Sequence, residues 1–291
     1  MKGKRVLITG ATNGIGMQAA LELMKMGADV VIVGRDAIKT RVVSSDLKAL
    51  SGSSRIDMLV ADLSSMDEIR RIADEFRANF DRLDVLLNNA GAVFSQYQRS
   101  VDGYEMTFAL NHLSYYLLTR LLLDILMRTA NEQGEARIIN VSSSAHRSAT
   151  LRLDNLHDES GYSFMNSYGA SKLMNVQFTY ELARWLEDMP LTVNAVHPGL
   201  VATGFGHSTG RVWSGFIKLA QKLFGISPQK GAETLVYLAS SAEVAGISGK
   251  YWNEKQQKRS SDNSYDREQQ KRLWEFSAKA TGLGKPALLE D

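Results

Sequence analysis

Short runs of β-branched and other apolar residues, each followed by a longer stretch of helical period, recur through most of the chain. The runs Arg5–Thr9, Val30–Val33, Met58–Val60, Val85–Leu87, Arg137–Val141 and Val193–Val196 read as strands, and a further one falls near Gly249–Trp252. Unbroken apolar runs of this length belong to strands covered on both faces, because each parallel connection lays a helix over one side of the sheet or the other. The alternation predicts an α/β fold, a doubly wound parallel sheet with helices on both faces, and such sheets bind ligands beyond the carboxyl ends of their strands. No internal repeat or linker interrupts the pattern, so residues 1–291 read as a single domain. The most polar stretch, Asn253–Arg272, reads as a solvated loop within a C-terminal extension of residues 253–291, ahead of a helix signalled by Leu273-Trp274-Glu275-Phe276.

Two local patterns carry chemistry. Thr9-Gly10-Ala11-Thr12-Asn13-Gly14-Ile15-Gly16 stands directly after the first strand and before a helical run from Met17 to Met26. In that context Gly10 permits a tight turn, Gly14 lets a pyrophosphate approach the backbone, Gly16 allows close packing, and the helix N-terminus offers free N–H groups at the positive end of its dipole. A glycine-rich turn without a ligand is the ordinary alternative. Tyr168 and Lys172 lie four residues apart in a segment of helical pattern, so both project from one face. A free phenol, with a pKa of about 10, is too weakly acidic to act as a base at neutral pH, but a nearby ammonium stabilises phenolate. In the opposite direction the phenol gives its proton to a developing alkoxide.

Composition closes off other chemistries. With no cysteine there is no disulfide, thiolate nucleophile or thiolate metal site. The histidines His112, His146, His157, His197 and His207 show no metal-ligand spacing, and no metal is expected. A net charge of +2, its signs interleaved, leaves no footprint for nucleic acid. The start of the chain runs straight into Val6-Leu7-Ile8, too short for a signal-peptide core, and no segment has a bilayer-spanning apolar length, so a cytoplasmic location is the expectation.

The glycine spacing resembles the Thr-Gly-x-x-x-Gly-x-Gly of the short-chain dehydrogenase/reductase family, and the family's other motifs follow in order. They are Asp62-Leu63 after the third strand, Asn88-Asn89-Ala90-Gly91 after the fourth, Asn111 in the next helix, Ser143 after the fifth strand, Tyr168-x-x-x-Lys172, and Pro198-Gly199 after the sixth. The resemblance implies a Rossmann-type domain that binds NADP(H) and moves a hydride between nicotinamide and a carbonyl or alcohol carbon. It further implies that Gly10, Thr12, Asn13, Gly14, Ile15 and Gly16 cradle the cofactor, that Asp62 and Leu63 hold its adenine, and that Asn89, Ala90 and Gly91 line its cleft. Pro198, Gly199, Val201 and Thr203 are implied as further cofactor contacts. Tyr168 is implied as general acid and base, Lys172 as its partner and a ligand of the nicotinamide ribose, Ser143 as the donor to the substrate oxygen, and Asn111 as the anchor of a water in the proton relay. Plainer readings stand beside these: Asp62 or Thr203 as helix caps, a generic loop serine among Ser142, Ser143 and Ser144, and a buried Asn111 that binds backbone.

At the end of the second strand the chain reads Val33-Gly34-Arg35-Asp36. By resemblance Gly34 replaces the carboxylate that selects NAD, and Arg35 follows it as a bidentate partner for a 2′-phosphate. A solvated Arg35, or Asp36 as the ribose carboxylate, is the alternative, and Asn13 stands where many NADP-preferring relatives have a basic residue. The long spacing from Ser143 to Tyr168, with Asn140-Val141-Ser142-Ser143-Ser144-Ala145-His146, His197-Pro198-Gly199, Gly249-Lys250-Tyr251 and Leu273-Trp274, resembles the retinol dehydrogenase branch. A lipophilic aldehyde, ketone or alcohol substrate is thereby implied, although the amino-terminal membrane anchor of many branch members is not seen. Residues 204–226 would supply the substrate lid, through the stripe Val212, Trp213, Phe216, Ile217, Ala220 and Phe224, which could equally be core or touch a membrane surface. A homodimer or homotetramer through the helices containing Asn111 and Tyr168 is implied by the family. The rival reading is an NADP(H)-binding regulator or scaffold with little turnover, against which the intact Asn111, Ser143, Tyr168 and Lys172 count.

Overall fold

The computed structural model describes residues 1–156, 159–199 and 226–284. The apolar runs form β1 (Arg5–Thr9), β2 (Asp29–Gly34), β3 (Ile56–Val60), β4 (Val85–Asn88), β5 (Ala136–Val141), β6 (Leu191–His197) and β7 (Tyr251–Asn253), with a last strand β8 (Gln256–Lys258). They lie in the order β3-β2-β1-β4-β5-β6-β7-β8, the first seven parallel and β8 antiparallel to β7. Between the strands come α1 (Gly14–Lys25), α2 (Ala37–Ser51), α3 (Met66–Asn79), α4 (Met106–Phe108), α5 (Ser114–Leu121), α6 (Leu123–Gln133), α7 (Phe164–Trp185), α8 (Pro228–Ser240) and α9 (Arg267–Thr281).

Alternation along each strand divides the core between the two sides of the sheet. Val6 and Ile8 pack with Leu23 of α1, Leu47 of α2 and Leu235 of α8. Leu7 between them faces the opposite layer, with Ile72 and Phe76 of α3, Leu117 of α5 and Phe178 of α7. Both faces are thus apolar, which is why the sequence shows unbroken runs instead of alternation. The chain winds from β1 out to β3 and then resumes at β4 on the other side of β1, so connections diverge between β1 and β4 and leave a crevice at their carboxyl ends.

The stretch Asn253–Arg272 differs from the solvated loop its composition suggests. Glu254 and Lys255 take φ values of 51° and 59° between the paired residues Asn253 and Gln256, the left-handed pair that a tight two-residue hairpin demands. Beyond β8, Ser260, Ser261, Ser264 and Gln270 are buried. The Ser260 hydroxyl pairs with the Tyr180 and Ser264 hydroxyls, each at 2.6 Å, and Gln270 Nε2 donates to the Ser264 carbonyl at 2.6 Å. Composition registers polarity but not whether polar groups find partners, and paired polar groups are readily buried.

The helix signalled by Leu273-Trp274 forms as α9 and lies against α7 and α5. The Trp274 ring centroid is 5.1 Å from that of Tyr116, 5.8 Å from Phe178 and 4.1 Å from Trp185. The two helical regions that carry Asn111 and Tyr168 therefore meet the chain's own last helix. Trp274→Ala is expected to destabilise the fold by about 3–5 kcal/mol, the cost of emptying an aromatic site in a core. Denaturant unfolding of the two proteins measures it, and a loss under about 1 kcal/mol would mean that α9 is peripheral.

Candidate active site

The crevice at the ends of β1 and β4 opens into a cleft of about 480 Å³. Its wall includes Gly10, Thr12, Asn13, Gly14, Ile15 and Gly16 on one side, Gly34, Arg35, Asp62 and Leu63 at one end, and Asn89, Ala90 and Gly91 on the other side. The glycine turn is shaped by the protein itself. Gly10 has φ +66°, and a Cβ there would stand 2.7 Å from the Ala90 Cα; one on Gly16 would stand 2.5 Å from Asn89 Nδ2. The Thr9 hydroxyl accepts from the backbone N–H groups of Asn89 (2.9 Å) and Ala90 (3.0 Å), and Asn89 Nδ2 donates to the Thr9 carbonyl at 2.9 Å. The loops after β1 and β4 are thereby stitched together, with the α1 N-terminus aimed into the gap.

At the β2 end, a Cβ on Gly34 would meet Thr40 Oγ1 at 2.2 Å and Thr12 Cγ2 at 2.4 Å, so no side chain fits there without rearrangement. Arg35 is exposed on the cleft wall. Asp36 instead caps α2, accepting from the Lys39 N–H at 2.9 Å. Asp62 Oδ1 accepts from the Ser64 N–H (2.9 Å) and hydroxyl (2.7 Å), closing the turn before α3, while Ser65 is the residue that caps that helix. Asp62 still lines the cleft from that turn.

Asn111 sits in a π-helical segment, Ala109–Leu113, between α4 and α5, where sequence pattern reads continuous α-helix. Such bulges turn side chains and free carbonyls that a regular helix would use. Asn111 Oδ1 accepts from the Ala92 N–H at 2.9 Å, its Nδ2 donates to the Ala92 carbonyl (3.0 Å) and Ser171 Oγ (3.1 Å), and its own carbonyl accepts from Asn175 Nδ2 at 2.9 Å. It is a buried asparagine that binds backbone, and it holds the Gly91–Ala92 loop against α7.

Ser143, Tyr168 and Lys172 converge beyond the end of β5. Of the three serines, Ser142 is buried and donates to the Lys172 carbonyl at 2.8 Å, and Ser144 is exposed. Ser143 is half-buried, its hydroxyl accepts from the Ala145 N–H at 3.2 Å, and it lies close enough to the Tyr168 hydroxyl to favour the phenolate. Lys172 Nζ lies 5.7 Å from the Tyr168 ring centroid, 5.6 Å from that of Tyr115, and donates to the Val141 carbonyl at 3.2 Å. A Cβ added to Gly91 would be 3.3 Å from Nζ, which places the lysine at the cleft. The balance of charges differs from the acidified phenol expected from the Tyr-x-x-x-Lys spacing. Burial pushes Tyr168 up to about 12, with the nearby Ser143 hydroxyl pulling it down in part, and burial brings Lys172 down to about 7.

Pro198 and Gly199 follow β6, and a Cβ on Gly199, at φ +90°, would meet Ile226 Cδ1 at 2.6 Å. Val201, Thr203, the lid of residues 204–226 except Ile226, His157 and His207 lie outside the described residues. Sequence reasoning missed part of the cleft wall: Val33, Ala61, Ser64, Ala92, Val93, Phe94, Gln98, Met106 and Leu110. Those directly after Gly91 were signalled by position, whereas Met106 and Leu110 reach the cleft only through the fold. Among the described residues no group of His, Asp and Glu could hold a metal, and no helix is long and apolar enough to cross a membrane.

Residues 4–211 match the family model described as short chain dehydrogenase. The chain is 38% identical to human retinol dehydrogenase 13 over 99% of its own length and 87% of that protein, and 37% identical to human polyprenol dehydrogenase over 95% and 84%. Among solved structures it resembles an uncharacterised Mycobacterium paratuberculosis protein with a TM-score of 0.78 and 29% identity, over 98% of this chain and 96% of that one. It also resembles Pseudomonas aeruginosa RhlG in an NADP complex, with a TM-score of 0.70 and 28% identity over 86% and 94%. A likeness to the NADH-dependent reductase A1-R' complexed with NAD has a TM-score of 0.66 and 25% identity, over 86% and 94%.

The buried lysine links the site to stability. Its folded pKa of about 7 lies below the ordinary 10.5, so below that range the fold must bury an ammonium and the penalty is fully present. Between the two values the unfolded chain binds the extra proton, stability rises with pH, and above both the penalty is gone. Lys172→Met is therefore expected to be more stable than the wild type at pH ~6 by about 1–4 kcal/mol, with the gap closing toward pH ~10. Urea unfolding at the two pH values checks this, and a gap that widens with pH would reverse the assignment.

Proposed function

The chain belongs to the short-chain dehydrogenase family, in its retinol dehydrogenase branch, and on that footing we propose that it is an NADP(H)-dependent oxidoreductase interconverting a lipophilic aldehyde or ketone and its alcohol, with Tyr168 as general acid and base. The observation that carries this reading is the convergence of Ser143, Tyr168 and Lys172, with Lys172 one helical turn beyond Tyr168 and its Nζ beside the cleft wall at Gly91.

A bound nicotinamide dinucleotide supplies hydride to the carbonyl carbon, or takes it from the alcohol carbon. The chain's residues manage the oxygen. Ser143 donates a hydrogen bond to it as negative charge gathers. Tyr168, kept protonated by burial, passes it a proton, so the carbonyl gains one hydride and one proton and leaves as the alcohol. In oxidation the alcohol proton goes to the Tyr168 oxygen, and Lys172 in its ammonium form stabilises the phenolate that receives it. Asn111 keeps the Gly91–Ala92 loop and Ser171 in register around that proton path. For the cofactor, Gly10 to Gly16, Asp62, Leu63 and Asn89 to Gly91 supply a cradle of backbone and small groups that fits a dinucleotide.

Preference for NADP(H) rests on Gly34 and Arg35. A carboxylate at position 34 would have to displace the Thr12 and Thr40 side chains, Asp36 is engaged as a cap, and an exposed guanidinium at the cleft matches a 2′-phosphate. A lipophilic substrate is supported by the relatives named for retinol and polyprenol and by the apolar wall formed by Val93, Phe94, Met106 and Leu110.

Tyr168→Phe is expected to lower carbonyl reduction by at least about a hundredfold. NADPH binding, followed by its fluorescence, should keep its Kd within about threefold. Wild-type protein that binds NADPH but turns over no aliphatic, aromatic or isoprenoid carbonyl would favour the regulatory reading instead. Arg35→Ala is expected to weaken NADPH by about 10–100-fold while leaving NADH nearly unchanged, the signature of a lost charge-assisted phosphate contact. Equal losses for both dinucleotides would remove the case for NADP(H).

A further inference from the structure

One buried side chain joins the C-terminal segment to the active-site serine. His146 is 0% exposed and belongs to the 3₁₀ turn Ser144–Arg147 that directly follows Ser143. Its Nδ1 is 2.6 Å from the Ser143 carbonyl oxygen, and its Nε2 accepts from the backbone N–H of Ser261 at 3.0 Å. A carbonyl only accepts and a backbone N–H only donates, so the two contacts together admit one neutral tautomer, with the proton on Nδ1. Burial lowers the basicity of the ring and favours that neutral form.

The Ser143 carbonyl is held twice, because it also accepts from the His146 N–H at 3.2 Å. Carbonyl and side chain share one Cα, so fixing the carbonyl fixes the frame from which the Ser143 hydroxyl meets Tyr168. Ser261 is anchored in its turn, since its carbonyl accepts from Ser264 Oγ at 2.5 Å, and Ser264 Oγ pairs with Ser260 Oγ, which meets Tyr180 of α7.

We propose that His146 is a positioning residue, which bridges the Ser143 carbonyl to the Ser261 amide and so makes the C-terminal segment part of the frame that aims the Ser143 hydroxyl. The inference rests on Ser143 as the group that polarises the substrate.

Three variants test it. His146→Phe keeps a ring against Tyr251, whose centroid is 4.9 Å away, but removes both bonds. His146→Asn keeps an amide donor near the place of Nδ1. Ser261→Pro removes the N–H at a residue whose φ of −69° already suits proline. The expected result is a fall in kcat of about tenfold for His146→Phe and for Ser261→Pro, with the Kd for NADPH unchanged within about twofold. His146→Asn should recover part of the loss, and His146→Phe combined with Ser261→Pro should fall no further than either single variant. Wild-type kcat in His146→Phe, or losses that multiply in the double variant, would overturn the proposal.

A readout independent of turnover separates this from the functional reading. The nitrogen-15 spectrum of the wild-type imidazole should show the Nδ1–H tautomer, and the residue 261 amide should lose exchange protection in His146→Phe. An Nε2–H tautomer overturns the bridge whatever the enzyme does. With the expected tautomer and protection in place, absence of carbonyl turnover in the wild type would count against the oxidoreductase reading and not against the bridge.

Discussion

The Thr9 hydroxyl, accepting two backbone N–H groups from the loop after β4, is the contact on which the rest of the site depends. It joins the two strands between which the winding of the sheet reverses, and so fixes the width of the crevice. The glycine turn, the α1 N-terminus and the Asn89–Gly91 wall all take their places from that junction. A side chain at Gly10 or Gly16 would collide with that same loop before it met any ligand. Close approach within the protein, as much as approach to a phosphate, accounts for the glycines there.

A second layer of constraint is polar and buried. Asn88 Nδ2 donates to Thr119 Oγ1 and Asn140 Oδ1, and Asn140 Nδ2 donates to Thr179 Oγ1, so a ladder of amides crosses β4 and β5 to tie α5 to α7. Asn175, one turn beyond Lys172, bonds the carbonyls of Asn111 and Val141, and its Oδ1 meets Nδ1 of the buried His112. His112 Nε2 in turn reaches Ser277 of α9 at 3.0 Å. Burial holds His112 at about 4, so the ring is neutral near pH ~7, and its two ring nitrogens bridge α7 and the C-terminal helix. Buried groups of this kind favour one arrangement over its neighbours, because each misplacement leaves a donor or acceptor without a partner.

Lys172 shows what such a frame costs. Its ammonium would be stable in water, but at this depth burial shifts it to about 7, and Tyr168 moves in the opposite direction for the same reason. Desolvation dominates both groups, and it acts on each in the direction that disfavours its charged form. Strain between stability and activity of this sort is common where a site needs charged groups in an apolar setting.

Much of this was legible from residue order. The parallel strands were readable because a sheet covered on both faces needs apolar residues at every position, and the glycine turn because few residues tolerate such close approach. The four-residue spacing of Tyr168 and Lys172 put both on one helical face without knowledge of any contact. Other properties belonged to the tertiary structure alone. The π-bulge at Asn111, the burial of Ser260, Ser261, Ser264 and Gln270, and the bridge through His146 each depend on partners far apart in the chain. Periodicity and local spacing report which surface a residue presents. Which hydrogen-bond partner meets that surface, and how much water is excluded from it, are decided only when distant segments pack.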